Sequence, residues 1–175
     1  QGAPGRGRGV ATGRWHSRVS GTPEVFGELP MGVLAEEMGA PGAGQVKALI
    51  TVASNPVLSA PDGPRLAAAL ERLDYMVSLD LYLNETTRHA HVVLPALSAL
   101  EISHYDVAFP QLSLRNHARY SGAVFAPPPG HPPEWQVLLK LAAIARGLGA
   151  GADVLALDDA LVLDDLRQRA GDAAA

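Results

Sequence analysis

Short apolar runs rich in β-branched and other large apolar residues occur three times in the middle of the chain. They occupy residues 46–52, 75–79 and 92–94, and the residues that follow them are Ser54-Asn55-Pro56, Asp80 and Pro95. Continuous apolar runs of this length, stopped by polar or proline residues, predict buried strands rather than helices. The sequence therefore predicts three strands of a largely covered sheet.

The segments between these runs have helical signals. Residues 34–38 predict a short helix, ended by Gly39 and Pro41. Asp62 can cap a helix in which Pro64 takes the first turn, and apolar residues then recur at helical spacing as far as residue 73. Residues 84–91 predict one or two helical turns. Alternating strands and helices predict an α/β fold, a Rossmann-like, mainly parallel sheet with flanking helices.

The pattern loosens after Pro95. Residues 96–125 predict a long irregular segment with short strands, and the proline-rich residues 127–133 predict a turn or linker. Glu134 opens a strong helical stripe that Gly149 and Gly151 should end, and a last amphipathic helix is expected over about residues 157–170, with Leu161 and Leu166 facing inward. We expect a flexible Gly/Arg-rich arm at 1–22, a Rossmann-like domain at 23–150, and an acidic helix and tail at 151–175.

Composition narrows the class of protein. The 175 residues are 47% hydrophobic and 18% charged, which suits one globular domain. There is no cysteine, so disulfides, thiolate zinc sites and iron–sulfur clusters ligated by this chain are excluded. No apolar run reaches the roughly 20 residues of a membrane span. We expect a cytoplasmic location, and the arginines of the amino-terminal arm, in a chain of net charge −4, do not imply nucleic acid.

Polar residues follow the first two predicted strands. In an open parallel sheet, ligands lie beyond the carboxyl ends of the strands. Asn55 and Asp80 stand at two such ends, with Asn84 four residues after Asp80, and this pattern indicates nucleotide binding. No GxGxxG or P-loop follows a predicted strand. The pattern leaves a plainer interpretation open, in which Asn55 makes a turn and Asp80 caps a helix.

Two other groups of residues have the residue types found in metal sites or in hydrolase active sites. His89 and His91 could bind a metal from a strand, but a third ligand at a suitable spacing is missing. Ser103, His104 and Asp106 contain the residue types of a hydrolase triad, yet no Gly-x-Ser-x-Gly turn accompanies them. We therefore expect no metal site and no catalytic residue in this chain.

Several strings, in order, resemble the molybdopterin oxidoreductase family, which includes formate dehydrogenases, nitrate reductases and dimethyl sulfoxide reductase. They are VASNPVLS at 52–59, LDYMVSLD at 73–80, NETTRHAHVVLP at 84–95, Glu101, and the Glu-Trp-Gln helix start at 134–136. The likeness covers roughly residues 23–150. It departs from the family at His91, where the family usually has aspartate.

The resemblance implies the family's third domain, which holds the guanosine end of a molybdopterin guanine dinucleotide. It implies a set of cofactor-binding residues: Asn55, Pro56, Leu79 through its backbone, Asp80, Asn84, Glu101 and Glu134. If the resemblance holds at this position, the carboxylate of Glu134 helps to recognise guanine, because guanine has two neighbouring N–H donors that suit a carboxylate.

The resemblance further implies that the chain is a fragment of a formate dehydrogenase-like enzyme. Molybdenum, and the two-electron chemistry that it performs, would be held by segments absent here, so the isolated chain should be inactive. Its partners would be the remaining domains of the same enzyme, with an electron-transfer partner that the residues do not identify. A stand-alone nucleotide-binding or interaction module of the same fold, without catalysis, is the alternative.

Overall fold

The computed structural model describes residues 12–106 and 113–174. The chain divides into two compact units, Gln1–Pro95 and Ala96–Ala175. The first contains the mixed α/β core with its parallel sheet, and the second contains a two-stranded antiparallel sheet and two helices.

The sheet of the first unit confirms the three predicted strands. β3 (Ala48–Val52), β4 (Tyr75–Asp80) and β5 (Val92–Pro95) are parallel and lie side by side in that order. β3 pairs with β4 so that Val52 lies opposite Leu79, and β4 pairs with β5 so that Asp80 lies opposite Pro95. All three strands therefore end at the same edge of the sheet.

Helices connect and cover these strands. α1 (Leu34–Gly39), α3 (Gly63–Leu70) and a 3-10 turn at Thr87–His89 form where the spacing predicts helical structure, whereas α2 (Pro56–Ser59) and a 3-10 turn at Met31–Val33 were not predicted. The predicted cap is confirmed, because the Asp62 side chain accepts a hydrogen bond from the backbone N–H of Arg65. The apolar core forms where α1 and α3 pack on the sheet, and its buried members are Met38, Leu66, Ala69, Leu70, Leu73 and Met76.

An antiparallel hairpin precedes this core, and its first strand lies within the segment for which the sequence predicts an arm. β1 (Thr12–His16) pairs with β2 (Pro23–Val25), although residues 1–22 were expected to be a flexible arm. The side chain of Glu24 stabilises the hairpin. Its fully buried carboxylate accepts hydrogen bonds from the backbone N–H and the guanidinium of Arg14 and from the backbone N–H of Gly27. This contact joins distant residues and leaves no periodic signal in the sequence.

In the described residues of the second unit, the part before residue 134 is largely irregular, as the sequence predicts. Its short strands are β6 (His104–Tyr105) and β7 (Tyr120–Ser121), followed by α4 (Glu134–Ala145) and α5 (Val154–Ala174). α4 ends before the expected glycines, because Gly147 has a left-handed φ of 82°. The inward orientation predicted for α5 is wrong, since Leu161 and Leu166 are 51% and 55% exposed.

The domain division at residues 22 and 150 stays a prediction. Within the described residues, every helix falls short of the length and apolar character that crossing a membrane requires.

Candidate site at the carboxyl-terminal edge of the sheet

Asn55 and Asp80 lie beyond the ends of neighbouring parallel strands. Pairing continues one residue past β3, because the backbone N–H of Ala53 donates to the carbonyl of Leu79 at 2.9 Å. Asn55 then precedes α2, and Asp80 is the last residue of β4. Both side chains are partly exposed at this edge, which is where ligands of parallel sheets lie.

Asn55 ties the two loops of the edge together. Its amide nitrogen donates to Glu85 Oε2 at 2.6 Å, and its amide oxygen accepts from Thr86 Oγ1 at 2.8 Å. The same Thr86 hydroxyl, which is fully buried, accepts from the backbone N–H of Val57 at 3.0 Å. The Asn55 side chain therefore joins the loop after β3 to the loop after β4, rather than capping α2.

Asp80 is held by its own loop. One carboxylate oxygen accepts from the backbone N–H of Tyr82 at 3.1 Å, and the other accepts from the Asn84 amide at 3.3 Å. The Asn84 oxygen in turn accepts from the backbone N–H groups of Thr86 and Thr87, each at 2.9 Å. Asn55, Asp80 and Asn84 thus belong to one hydrogen-bonded network, in which Asp80 accepts hydrogen bonds from its own loop rather than capping a helix.

The network retains capacity for a ligand. A carboxylate has about four acceptor positions, and Asp80 uses two of them within the protein. An asparagine side chain has two N–H donors and two acceptor positions, and Asn55 uses one of each. The unused positions face a partly exposed edge, so the donor set can serve ribose hydroxyls or the N–H groups of a base.

The negative charge of the carboxylates at this edge favours some ligand groups over others. Glu85 adds a second carboxylate, and its pKa is lowered by the hydrogen bond from Asn55, by a backbone hydrogen bond and by the nearby charge of Arg88. Two carboxylates disfavour a phosphate at the same point and favour neutral hydrogen-bond donors. The edge is therefore suited to the nucleoside part of a nucleotide.

Pro56 and Leu79 are largely buried and help to hold the backbone at this edge of the sheet. Pro56 is buried at the first position of α2, where proline is favoured. Leu79 is 1% exposed, and its carbonyl accepts the hydrogen bond from Ala53.

Glu101 and Glu134 line one cleft of the second unit. The cleft has a volume of about 570 Å³, within the usual range for ligand pockets, and is otherwise lined mainly by apolar and aromatic residues: Leu97, Ile102, Tyr120, Ala123, Pro127, Pro133 and Trp135, together with Ser103. Glu101 Oε2 accepts from the backbone N–H of Ser98 at 2.9 Å. The hydrogen bonds from Ser98, followed by the charge of His131, lower the pKa of Glu101.

His91 has a structural role that the sequence did not reveal. Its Nδ1 accepts a hydrogen bond from the backbone N–H of Met76 at 3.0 Å, and its ring stacks on Tyr75 with centroids 5.3 Å apart. An aspartate oxygen can accept from the same N–H group.

Sequence reasoning missed Glu85, Thr86 and Thr87 as parts of the edge. The available signal was their position directly after Asn84, since Asn, Ser and Thr side chains often bond backbone groups two or three residues away. Of the alternatives considered, no metal-binding group of three acidic or histidine side chains forms within the described residues. In that same part of the chain, no hydrogen bond joins Ser103, His104 and Asp106 into a triad.

The sequence of the chain was compared with protein families and with individual proteins. The molybdopterin oxidoreductase family model matches residues 8–143. The chain is 34% identical over 145 residues to the assimilatory nitrate reductase catalytic subunit of Bacillus subtilis, covering 81% of this chain and 19% of that protein. It is 32% identical over 141 residues to nitrate reductase of Klebsiella oxytoca, covering 79% of this chain and 14% of that protein.

A shorter match involves the F420-dependent formate dehydrogenase subunit alpha of Methanocaldococcus jannaschii, with 43% identity over 51 residues, or 29% of this chain and 8% of that protein. The chain thus spans less than a fifth of the length of each of these oxidoreductases. Because the family model matches most of its residues, the chain belongs to the molybdopterin oxidoreductase family, whose members are enzymes with a molybdopterin cofactor.

Proposed function

We propose that this chain is part of a formate dehydrogenase-like molybdopterin oxidoreductase, and that its sheet edge binds the guanosine end of a molybdopterin guanine dinucleotide. The observation that carries the proposal is the placing of Asn55 and Asp80 at neighbouring strand ends within one hydrogen-bonded network. Family membership supports the pterin part of the cofactor. The parallel strands and helical connections support a Rossmann-like fold.

The chemistry of the edge supports the nucleoside end. Guanine has two neighbouring N–H donors on one edge, and ribose has two hydroxyls. A carboxylate such as Asp80 accepts such pairs strongly, because its hydrogen bonds are charge-assisted. Asn55 and Asn84 can both donate and accept, which suits ribose hydroxyls. In this proposal the carboxylates bind the nucleoside, and groups elsewhere neutralise the phosphates.

The second unit is proposed to contribute separately. Glu134 and Glu101 line an aromatic cleft, where a carboxylate beside apolar walls suits a planar ring that carries N–H donors. Substitution of either residue tests this contribution independently of Asp80.

The bound cofactor would supply two-electron oxidation and reduction at molybdenum. The residues of this chain bind and orient its nucleotide end, so we expect the isolated chain to be inactive. The remaining domains of the enzyme are its proposed partners, and the cytoplasm is its proposed location.

Binding of GMP and AMP to the full chain tests the proposal. We expect calorimetric titration to show a preference for GMP that Asp80→Asn lowers about tenfold, since a hydrogen bond to a charged group contributes about 1.5–3 kcal/mol. Asp74→Asn is the matched control, because Asp74 is an exposed aspartate that precedes the same strand at its opposite end. Equal affinity for GMP and AMP in the unaltered chain would contradict the proposal.

A further inference from the structure

Large apolar side chains are exposed around the polar network of the sheet edge. Leu81, Tyr82 and Leu83 follow Asp80 directly and are 50%, 72% and 81% exposed, and Leu58 in α2 is 72% exposed. Asn55 and α2 are joined to the loop after β4 by the Asn55–Glu85 and Val57–Thr86 hydrogen bonds. Exposed apolar surface beside polar groups commonly marks a binding site.

Tyr82 differs from its apolar neighbours, because its backbone is fixed on both sides. Its N–H donates to Asp80 Oδ1 at 3.1 Å, and its carbonyl accepts from Thr87 Oγ1 at 3.0 Å. Thr87 is 1% exposed, so this second anchor is buried. Within the described residues, the phenol ring itself makes no hydrogen bond and no ring contact. An aromatic ring is thus presented to solvent from a rigid backbone, two residues after the carboxylate of the site.

We infer that the ring of Tyr82 is the surface on which the purine base of the nucleotide stacks. This inference rests on the proposed function and adds the residue that contacts the face of the base. Tyrosine provides a large flat surface at a low cost in side-chain entropy, since only two torsions must be fixed. Stacking on an aromatic ring contributes to the binding of any base, because every base has a π-face.

The inference assigns Asp80 and Tyr82 different roles in binding, and the two roles predict effects that can be measured separately. Asp80 contacts the edge of the base and determines the preference for guanine over adenine. Tyr82 contacts the face of the base and determines affinity for both purines. Loss of the Tyr82 ring should therefore weaken GMP and AMP binding by the same factor, whereas loss of the Asp80 charge should change their ratio.

The test is titration of the full chain with GMP and with AMP in three variants. Tyr82→Ala should raise both dissociation constants about five- to tenfold, which is within the range measured for removal of a base-stacking ring. Tyr82→Phe keeps the ring and should bind within about twofold of the unaltered chain. Leu83→Ala is the matched control, because Leu83 is the more exposed neighbour and has no ring.

A spectroscopic measurement reports contact with the ring directly. The Tyr82 ring protons, assigned by their loss in Tyr82→Phe, should shift upfield on addition of GMP. The inference is overturned if Tyr82→Ala binds GMP like the unaltered chain, or if Leu83→Ala weakens binding equally; the proposed function survives either result. If the unaltered chain binds neither nucleotide, the proposed function fails and this inference fails with it.

Discussion

At the scale of single residues, His91 supplies a hydrogen-bond acceptor to the backbone of the neighbouring strand. Its Nδ1 accepts the backbone N–H of Met76, a residue that is fully buried in β4. The sequence identified position 91 as unusual through the resemblance. It could not show the reason, because the partner is a backbone group 15 residues away.

Replacing His91 tests this role. His91→Leu leaves the Met76 N–H without an acceptor and should lower the free energy of unfolding by about 1–3 kcal/mol. His91→Asp restores an acceptor and should recover much of that loss. Urea unfolding of the two variants measures the difference, and equal stability of both would show that the acceptor is unimportant.

Glu24 predicts a dependence of stability on pH. The hydrogen bond from Arg14 lowers the pKa of Glu24 from 4.5 to about 2, against the opposing effect of burial. Its folded pKa lies below its usual value, so its contribution is fully present above pH 4.5 and is lost as the pH falls towards 2.

We therefore expect Glu24→Gln to be less stable than the unaltered chain at pH 6, with the difference shrinking between pH 4.5 and pH 2. Urea midpoints measured across this range provide the comparison. Glu28→Gln, in an exposed position after the same hairpin, should not show this convergence. A constant difference across the range would exclude the proposed role of the Arg14–Glu24 ion pair.

At the scale of elements, the packing of α2 against α3 requires a glycine. A Cβ added at Gly63, the first residue of α3, would lie 2.1 Å from the carbonyl oxygen of Val57 in α2. α2 also carries the backbone that follows Asn55, so this contact helps to determine where the edge loop lies.

Gly63→Ala should therefore destabilise the chain by about 1–3 kcal/mol, the usual cost of forcing extra atoms into a packed position. Gly39→Ala is the control, because a Cβ there meets no atom within 4 Å. Thermal unfolding of both variants is the measurement. A Gly63→Ala midpoint equal to that of Gly39→Ala would mean that the α2–α3 contact relaxes freely.

The strands were predictable from the sequence, whereas the hairpin was not. Residues 46–52, 75–79 and 92–94 are mostly apolar, because strands of a covered parallel sheet need apolar side chains on both faces. β1 has glycine, arginine and histidine within five residues and depends on the buried carboxylate of Glu24. A contact between two charged residues ten positions apart has no local pattern.

At the scale of the whole molecule, each unit contains one tryptophan. Trp15 lies in the first unit and Trp135 lies in the second, so each can report on its own unit by fluorescence. Trp135→Phe leaves the signal of Trp15, and Trp15→Phe leaves the signal of Trp135.

GMP should raise the unfolding midpoint reported by Trp15, since a ligand that binds the folded state stabilises it by about 2.7 kcal/mol at 100 times its dissociation constant. Asp80→Ala should abolish this shift, and Asp74→Ala should preserve it. A shift in the Trp135 signal as well would indicate that Glu101 and Glu134 contribute to binding. A Trp15 midpoint that GMP leaves unchanged would contradict a nucleotide site in the first unit.

The sequence by itself determined the three strands of the parallel sheet, the helices α1 and α3 and the presence of polar residues at the strand ends, because these depend on local periodicity and on residues that stop strands. It also indicated the protein family, through several short strings of residues that occur in the same order as in the family. Only the tertiary structure decided which groups meet: the Asn55 side chain with those of Glu85 and Thr86, and the His91 ring with the backbone N–H of Met76. Such contacts join residues 15 to 31 positions apart, and they arise from the folding of the loops around the sheet rather than from any local pattern.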